Sequence, residues 1–75
     1  MSISDVMIHI NETLSSEDRS SLEDVMRQIE GVVSPRFSPS KVHLMMIAFN
    51  PEKTSSMVLL GKAREAGYTA QLIGA

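Results

Sequence analysis

A chain of 75 residues permits one small domain near the lower size limit for folding alone, since compact domains rarely divide below about 150 residues. Seven Lys plus Arg against nine Asp plus Glu leave a net charge of −2, which argues against a phosphate-tracking surface and so against nucleic acid as a partner. With zero cysteines there is no disulfide, no thiolate metal site and no cysteine nucleophile, and the fold must stand on packing. A hydrophobic content of 43% is enough for one modest core and excludes disorder. No run approaches the roughly 18 apolar residues that span a bilayer, and Met1 to Asp5 lacks the basic segment of a secretory leader, so the expected compartment is the cytoplasm, with no membrane partner. Without repeats, linkers or low-complexity runs, residues 1–75 read as a single domain.

Val6, Ile8 and Ile10 alternate with Met7, His9 and Asn11. That period of two in β-branched residues predicts a half-buried first strand over residues 4–11. Ser15 or Ser16 is placed to cap a helix, and Asp18 follows Ser15 by three positions as an acidic variant of the capping box. Leu22, Val25, Met26 and Ile29 then recur at helical spacing, with Glu23, Asp24, Arg27, Gln28 and Glu30 on the wet face. Gly31 is the expected stop. Val32 to Ser38 reads as a second strand, confined to a sheet edge or bulge because Pro35 cannot donate to a ladder. Phe37 to Lys41 supplies turn residues, and His43 to Phe49 is an apolar run of strand length ended by Asn50-Pro51. Thr54 or Ser55 caps a second helix carrying Val58, Leu59, Leu60 and Ala63, with Gly67 closing it. Tyr68, Ala70 and Leu72 alternate with Thr69, Gln71 and Ile73 as a fourth strand.

The order βαββαβ buries its apolar faces when both helices lie on one side of an antiparallel sheet and each crossover is right-handed. The predicted fold is therefore an α+β ferredoxin-like sandwich with strand order 4-1-3-2. The two most apolar strands are central, Pro35 is at the border, and one sheet face is left open.

Several spaced segments carry a family resemblance. Gly31-Val32, Ile47-Ala48-Phe49-Asn50-Pro51-Glu52-Lys53-Thr54-Ser55, Leu59-Leu60 and Glu65-Ala66-Gly67-Tyr68-Thr69-Ala70 resemble the heavy-metal-associated domain, in which the third strand runs into a Tyr-Asp-Pro turn and the second helix closes on Ala-Gly-Tyr. The likeness spans nearly the whole chain and implies the same sandwich. Members of that family hold Cu(I), Zn(II) or similar ions through a Met-Thr-Cys-x-x-Cys loop after the first strand and pass them to partner domains. Counting back from Gly31 without a gap, the cysteine positions fall on Ser15 and Asp18, with Thr13 and Leu14 in place of Met-Thr. A hydroxyl and a carboxylate are hard ligands that do not suit a soft ion. The resemblance thus implies a domain without its metal site, Ser15 and Asp18 serving a helix cap and no metal or cofactor bound.

Other functional readings are narrower. Six methionines and two histidines offer an alternative, metal binding or metallochaperone-type activity through Met and His ligands, since thioether and imidazole suit copper. The spacing works against it: Met7 and His9 share one face, His43 has the parity of the core residues Met45, Ile47 and Phe49, and Met26 and Met57 lie on helices where methionine fills cores. The open face gathers Met7 and His9 beside Leu44, Met46, Ala48 and Ile73, a patch expected to seek a protein partner or a second copy of the chain. His9 there is a candidate for a pH-sensitive contact. An enzyme is not expected: the glycine-rich anion loop of the acylphosphatases is missing, Arg36 has no partner Asn, no Ser/His pair has an orienting carboxylate, and Glu23-Asp24 sit on a solvated face. A small-molecule regulatory module resembling the ACT domain is a further alternative. No outward aromatic on strands one and three is placed to stack an RNA base.

Overall fold

The structure, a computed structural model, describes residues 2–73. Six elements follow in the order β1 (Ser4–Ile10), α1 (Ser16–Arg27), β2 (Val32–Phe37), β3 (Leu44–Phe49), α2 (Ser56–Glu65) and β4 (Ala70–Leu72). The four strands form one sheet of order β2-β3-β1-β4, which is the predicted 4-1-3-2 seen from the other edge. Every pairing is antiparallel, and the ferredoxin-like sandwich stands as read from the sequence.

Alternation along the strands decides the layers. Val6, Ile8 and Ile10 of β1 and Met45, Ile47 and Phe49 of β3 are buried together with Leu22 and Met26 of α1 and Leu59, Leu60 and Ala63 of α2. Each fully buried side chain of this size contributes about 1.5–3 kcal/mol by leaving water.

Local chemistry starts and stops the helices. Ser15 is the N-cap of α1, its Oγ accepting from the Asp18 amide at 3.1 Å, and Glu17 and Asp18 in the first turn face the positive end of the helix dipole. Ser55 does the same for α2, accepting from the Val58 amide at 3.3 Å. Gly67 follows the α2 C-cap Ala66 with φ of 98°, the left-handed position that favours glycine.

The sequence reading needs correction at several points. Helix α1 stops at Arg27, with Gln28 as C-cap, rather than at Gly31. Gly31 instead sits in the turn just before β2 at φ of 98°, where an added Cβ would stand 2.7 Å from the Lys53 Cβ. The strands are shorter than expected, β4 most of all, covering Ala70–Leu72 rather than residues 68–73. Val25, Val58 and Met57 are exposed, Met57 at 64%, because each helix turns only a narrow stripe toward the sheet. Glu23 is half-buried rather than solvated, its Oε2 accepting from the Phe37 amide at 2.8 Å. It thereby ties α1 to the far end of β2. Pro35 does lie on the edge strand β2, beside a register shift between Val32 and Ser34, where a missing donor is tolerated.

Candidate functional site

The face of the sheet opposite the helices is set by register. Met7 stands opposite Met46, His9 opposite Leu44 and Asp5 opposite Ala48 on the β1–β3 ladder. Arg36 is opposite Met46 on the other side of β3, and the Ile73 amide donates to the Met7 carbonyl at 2.9 Å. One row therefore crosses the whole sheet as Arg36, Met46, Met7 and Ile73. Its three apolar members are exposed at 50%, 37% and 40% in that order. Leu44, Ala48 and His9 are half-buried around it. Beside the row, Asp5, Ser34, Arg36, Met46 and Ala48 line a shallow groove of about 290 Å³, so a carboxylate and a guanidinium flank an apolar floor.

The loop between β1 and α1 is occupied with its own bonding. Both carboxylate oxygens of Glu12 accept from the Thr69 amide, at 2.8 and 3.0 Å. That backbone bond is the main reason its carboxyl is held below the usual glutamate range. Arg19 Nη1 donates to the Leu14 carbonyl at 2.7 Å, and the Leu14 side chain is buried in the core. Ser15 Oγ is spent on the helix cap. The loop thus offers a capping hydroxyl and exposed carboxylates, hard donors that do not fit the soft ions implied by the sequence resemblance. Among the described residues, no three His, Cys, Asp or Glu side chains gather closely enough to hold an ion.

Histidine placement departs from the sequence reading. Parity put His43 with the core and away from His9. In the structure His43 precedes β3, in the turn that enters it, and its ring lies beside that of His9 with centroids 5.6 Å apart and planes inclined by 23°. His43 Nδ1 lies 2.8 Å from the Ile10 carbonyl and 3.2 Å from the Glu12 carbonyl. Carbonyl oxygens only accept, so Nδ1 carries the proton and donates. His9 Nδ1 is likewise 3.0 Å from Asn11 Oδ1 and donates to it. Sequence reasoning missed this pairing and the part of Asn11 in it. The available signal was the antiparallel register, which brings His43 beside Ile10, next to His9.

Comparison with solved structures follows the same architecture. Oxidized MerP from Ralstonia metallidurans CH34 superposes with a TM-score of 0.82 at 18% identity over 95% of this chain and 97% of that one. The N-terminal domain of a potential copper-translocating P-type ATPase from Bacillus subtilis, solved in its Cu(I)-loaded state, gives 0.86 at 19% identity over 97% and 90%. A copper binding domain from HMA7, a P-type ATPase, gives 0.84 at 13% identity over 93% of each chain. The chain has the fold of these domains. No protein-family model matches it, and no curated protein matches it by sequence. Among the described residues no helix is long and apolar enough to cross a membrane.

Proposed function

We propose that the chain is a non-catalytic binding module, a divergent heavy-metal-associated-like domain without the thiolate site, that engages a protein partner or a second copy of itself through the open sheet face. The observation that carries this reading is the row Met46, Met7 and Ile73, three exposed apolar side chains side by side on a face that no helix covers. Contiguous apolar surface on a small acidic domain is a contact surface, and methionine adapts to the shape of what it meets. Asp5 and Arg36 at the margin add charge of both signs, which sets orientation more than affinity. Of the similar domains, that of HMA7 is a copper binding domain and that of Bacillus subtilis was solved loaded with Cu(I). Counted back from Gly31, as the sequence resemblance implies, the cysteine positions fall on Ser15, whose Oγ caps α1, and on Asp18, whose amide donates to that cap; this favours a scaffold used for its surfaces.

Two measurements test the reading. Sedimentation over a range of concentrations separates self-association from a monomer. Capture from native extract on immobilised wild-type and Met46→Lys protein then finds a different partner. Association, or a retained protein, that is lost in Met46→Lys supports the open face. A monomer at every concentration that retains the same proteins with and without the substitution overturns it.

A further inference from the structure

We propose that a second copy of this chain covers the open sheet face, in a two-fold symmetric dimer oriented by reciprocal ion pairs between Asp5 of one copy and Arg36 of the other. The inference rests on the open-face reading above and names its occupant. The first argument is the charge content of the sheet. Strands β1 to β4 together contain one acidic residue, Asp5, and one Lys or Arg, Arg36. Both line the same groove on the open face, with Met46 and Ala48 between them. The ion pairs of the described residues join Arg27 to Asp24 and Lys62 to Glu65, so among those residues neither groove charge has a partner. A face with one charge of each sign does not repel its own copy, although the chain carries a net charge of −2.

The second argument is register. Asp5 is level with Ala48 and Arg36 with Met46, on opposite sides of β3. The two charges therefore stand on a diagonal, roughly 12 Å apart between Cα atoms at ordinary strand spacings. A two-fold axis midway between two facing sheets, crossing that diagonal at right angles through its midpoint, exchanges its ends. It brings Asp5 onto the partner's Arg36 and, in the same operation, Arg36 onto the partner's Asp5. Such a contact is self-complementary and closes at two copies. Stacked sheets lie about 10 Å apart, a gap that a guanidinium side chain and a carboxylate bridge. The axis lies about 35° from β3, so the strands of the two copies cross at roughly 70°, toward the orthogonal class of sheet packing.

Third, the apolar row fits itself in this arrangement. The same axis lays Met7 of each copy over Met46 of the other, since the two stand side by side on the β1–β3 ladder, and methionine adapts to the shape it meets. The charges then fix the orientation of a contact that the apolar row drives. Four strands of about six residues give a face of roughly 19 by 20 Å, small beside the roughly 800 Å² that each partner buries in a standard interface. The dimer accordingly belongs to the weak, transient class.

The experiment is sedimentation equilibrium of the full chain up to about 1 mM, the weak end of specific association. It compares wild type, Asp5→Arg, Arg36→Asp and an equimolar mixture of these two variants, each first shown to be folded by circular dichroism. Wild type is expected to dimerise. Either exchange sets like charges opposite each other twice and is expected to weaken the dimer roughly tenfold or more. In the mixed dimer opposite charges face each other at both positions, so the mixture is expected to return to within about threefold of wild type. If an exchange does not fold, Asp5→Asn and Arg36→Gln replace the pair, each expected to weaken the dimer about threefold. Variants that associate like wild type, or a mixture no tighter than either exchange alone, overturn the pairing; loss of association in Met46→Lys then leaves the open face standing. A wild-type monomer at the highest concentration overturns the self-contact outright, whereas capture of another protein that Met46→Lys fails to retain keeps the open-face reading.

Discussion

The two faces of the sheet are built from alternate residues of the same strands, and they differ in almost every physical respect. On the covered face Val6, Ile8, Ile10, Met45, Ile47 and Phe49 are buried under the helices. On the other, Met7, Met46 and Ile73 meet solvent and His9 lies against His43. The covered positions determine the fold, because moving any of them by one register step would place its neighbour in the core. The open positions carry little of that burden, so chemistry and contact surface concentrate there. The same separation explains how the sandwich of the MerP and copper-ATPase domains is kept at 13–19% identity: hydrophobic residues of about the right size suffice for the covered face.

Neighbouring residues in β1 give the widest test of this contrast. Ile8→Ala removes a fully buried side chain and is expected to cost about 2–5 kcal/mol in urea unfolding, a large share of a small domain's stability. Met7→Ala, one residue earlier on the open face, is expected to stay within about 0.5 kcal/mol of wild type. Comparable losses for both would mean that the open face also specifies the fold. A smaller effect comes from a helix of the covered side. Glu23→Ala deprives the Phe37 amide of its acceptor and is expected to cost about 1–2 kcal/mol, while Glu23→Gln, keeping an acceptor oxygen, recovers part of it. An unchanged urea midpoint in Glu23→Ala would show that this contact does not hold β2 to α1.

Most of the sandwich is legible in the sequence because it follows from local rules. Alternation in residues 6–10, the Ser15 and Ser55 caps, Pro35 at the border and Gly67 beyond α2 each declare themselves within a few residues. What escapes are features decided by the third dimension. Val25 and Val58 fit a helical stripe, yet how much of that stripe meets the sheet depends on where each helix lies. Glu23 looks like a solvated charge until β2 brings the Phe37 amide to it. His43 is the sharpest case: alternation holds inside a ladder, and His43 precedes β3 in a turn, so parity assigned it to the wrong neighbours. The resemblance to the heavy-metal-associated domain anticipated the fold and pointed to the first loop, whereas the paired imidazoles lie beside it, on residues the resemblance does not mention.

The smallest expected effect concerns the stitch between that loop and β4. Glu12 accepts from the Thr69 amide with both oxygens, and this bond, more than the others at the site, lowers its pKa on folding. A carboxyl whose folded pKa lies below its unfolded one binds fewer protons in the native state, so it adds stability above the unfolded pKa. That contribution is lost as pH falls through the folded value, on the acid side of the ordinary glutamate range. Glu12→Gln keeps an acceptor oxygen and removes the charge. Its urea midpoint should lie slightly below wild type at neutral pH, less so than for Glu23→Ala, because Glu12 is exposed and water screens its bond. The gap should close as the pH drops below the glutamate range, since protonated Glu12 and Gln are then nearly equivalent acceptors. A gap that persists unchanged into acid would show that the side-chain shape at Glu12, not its charge, fastens the loop to the last strand.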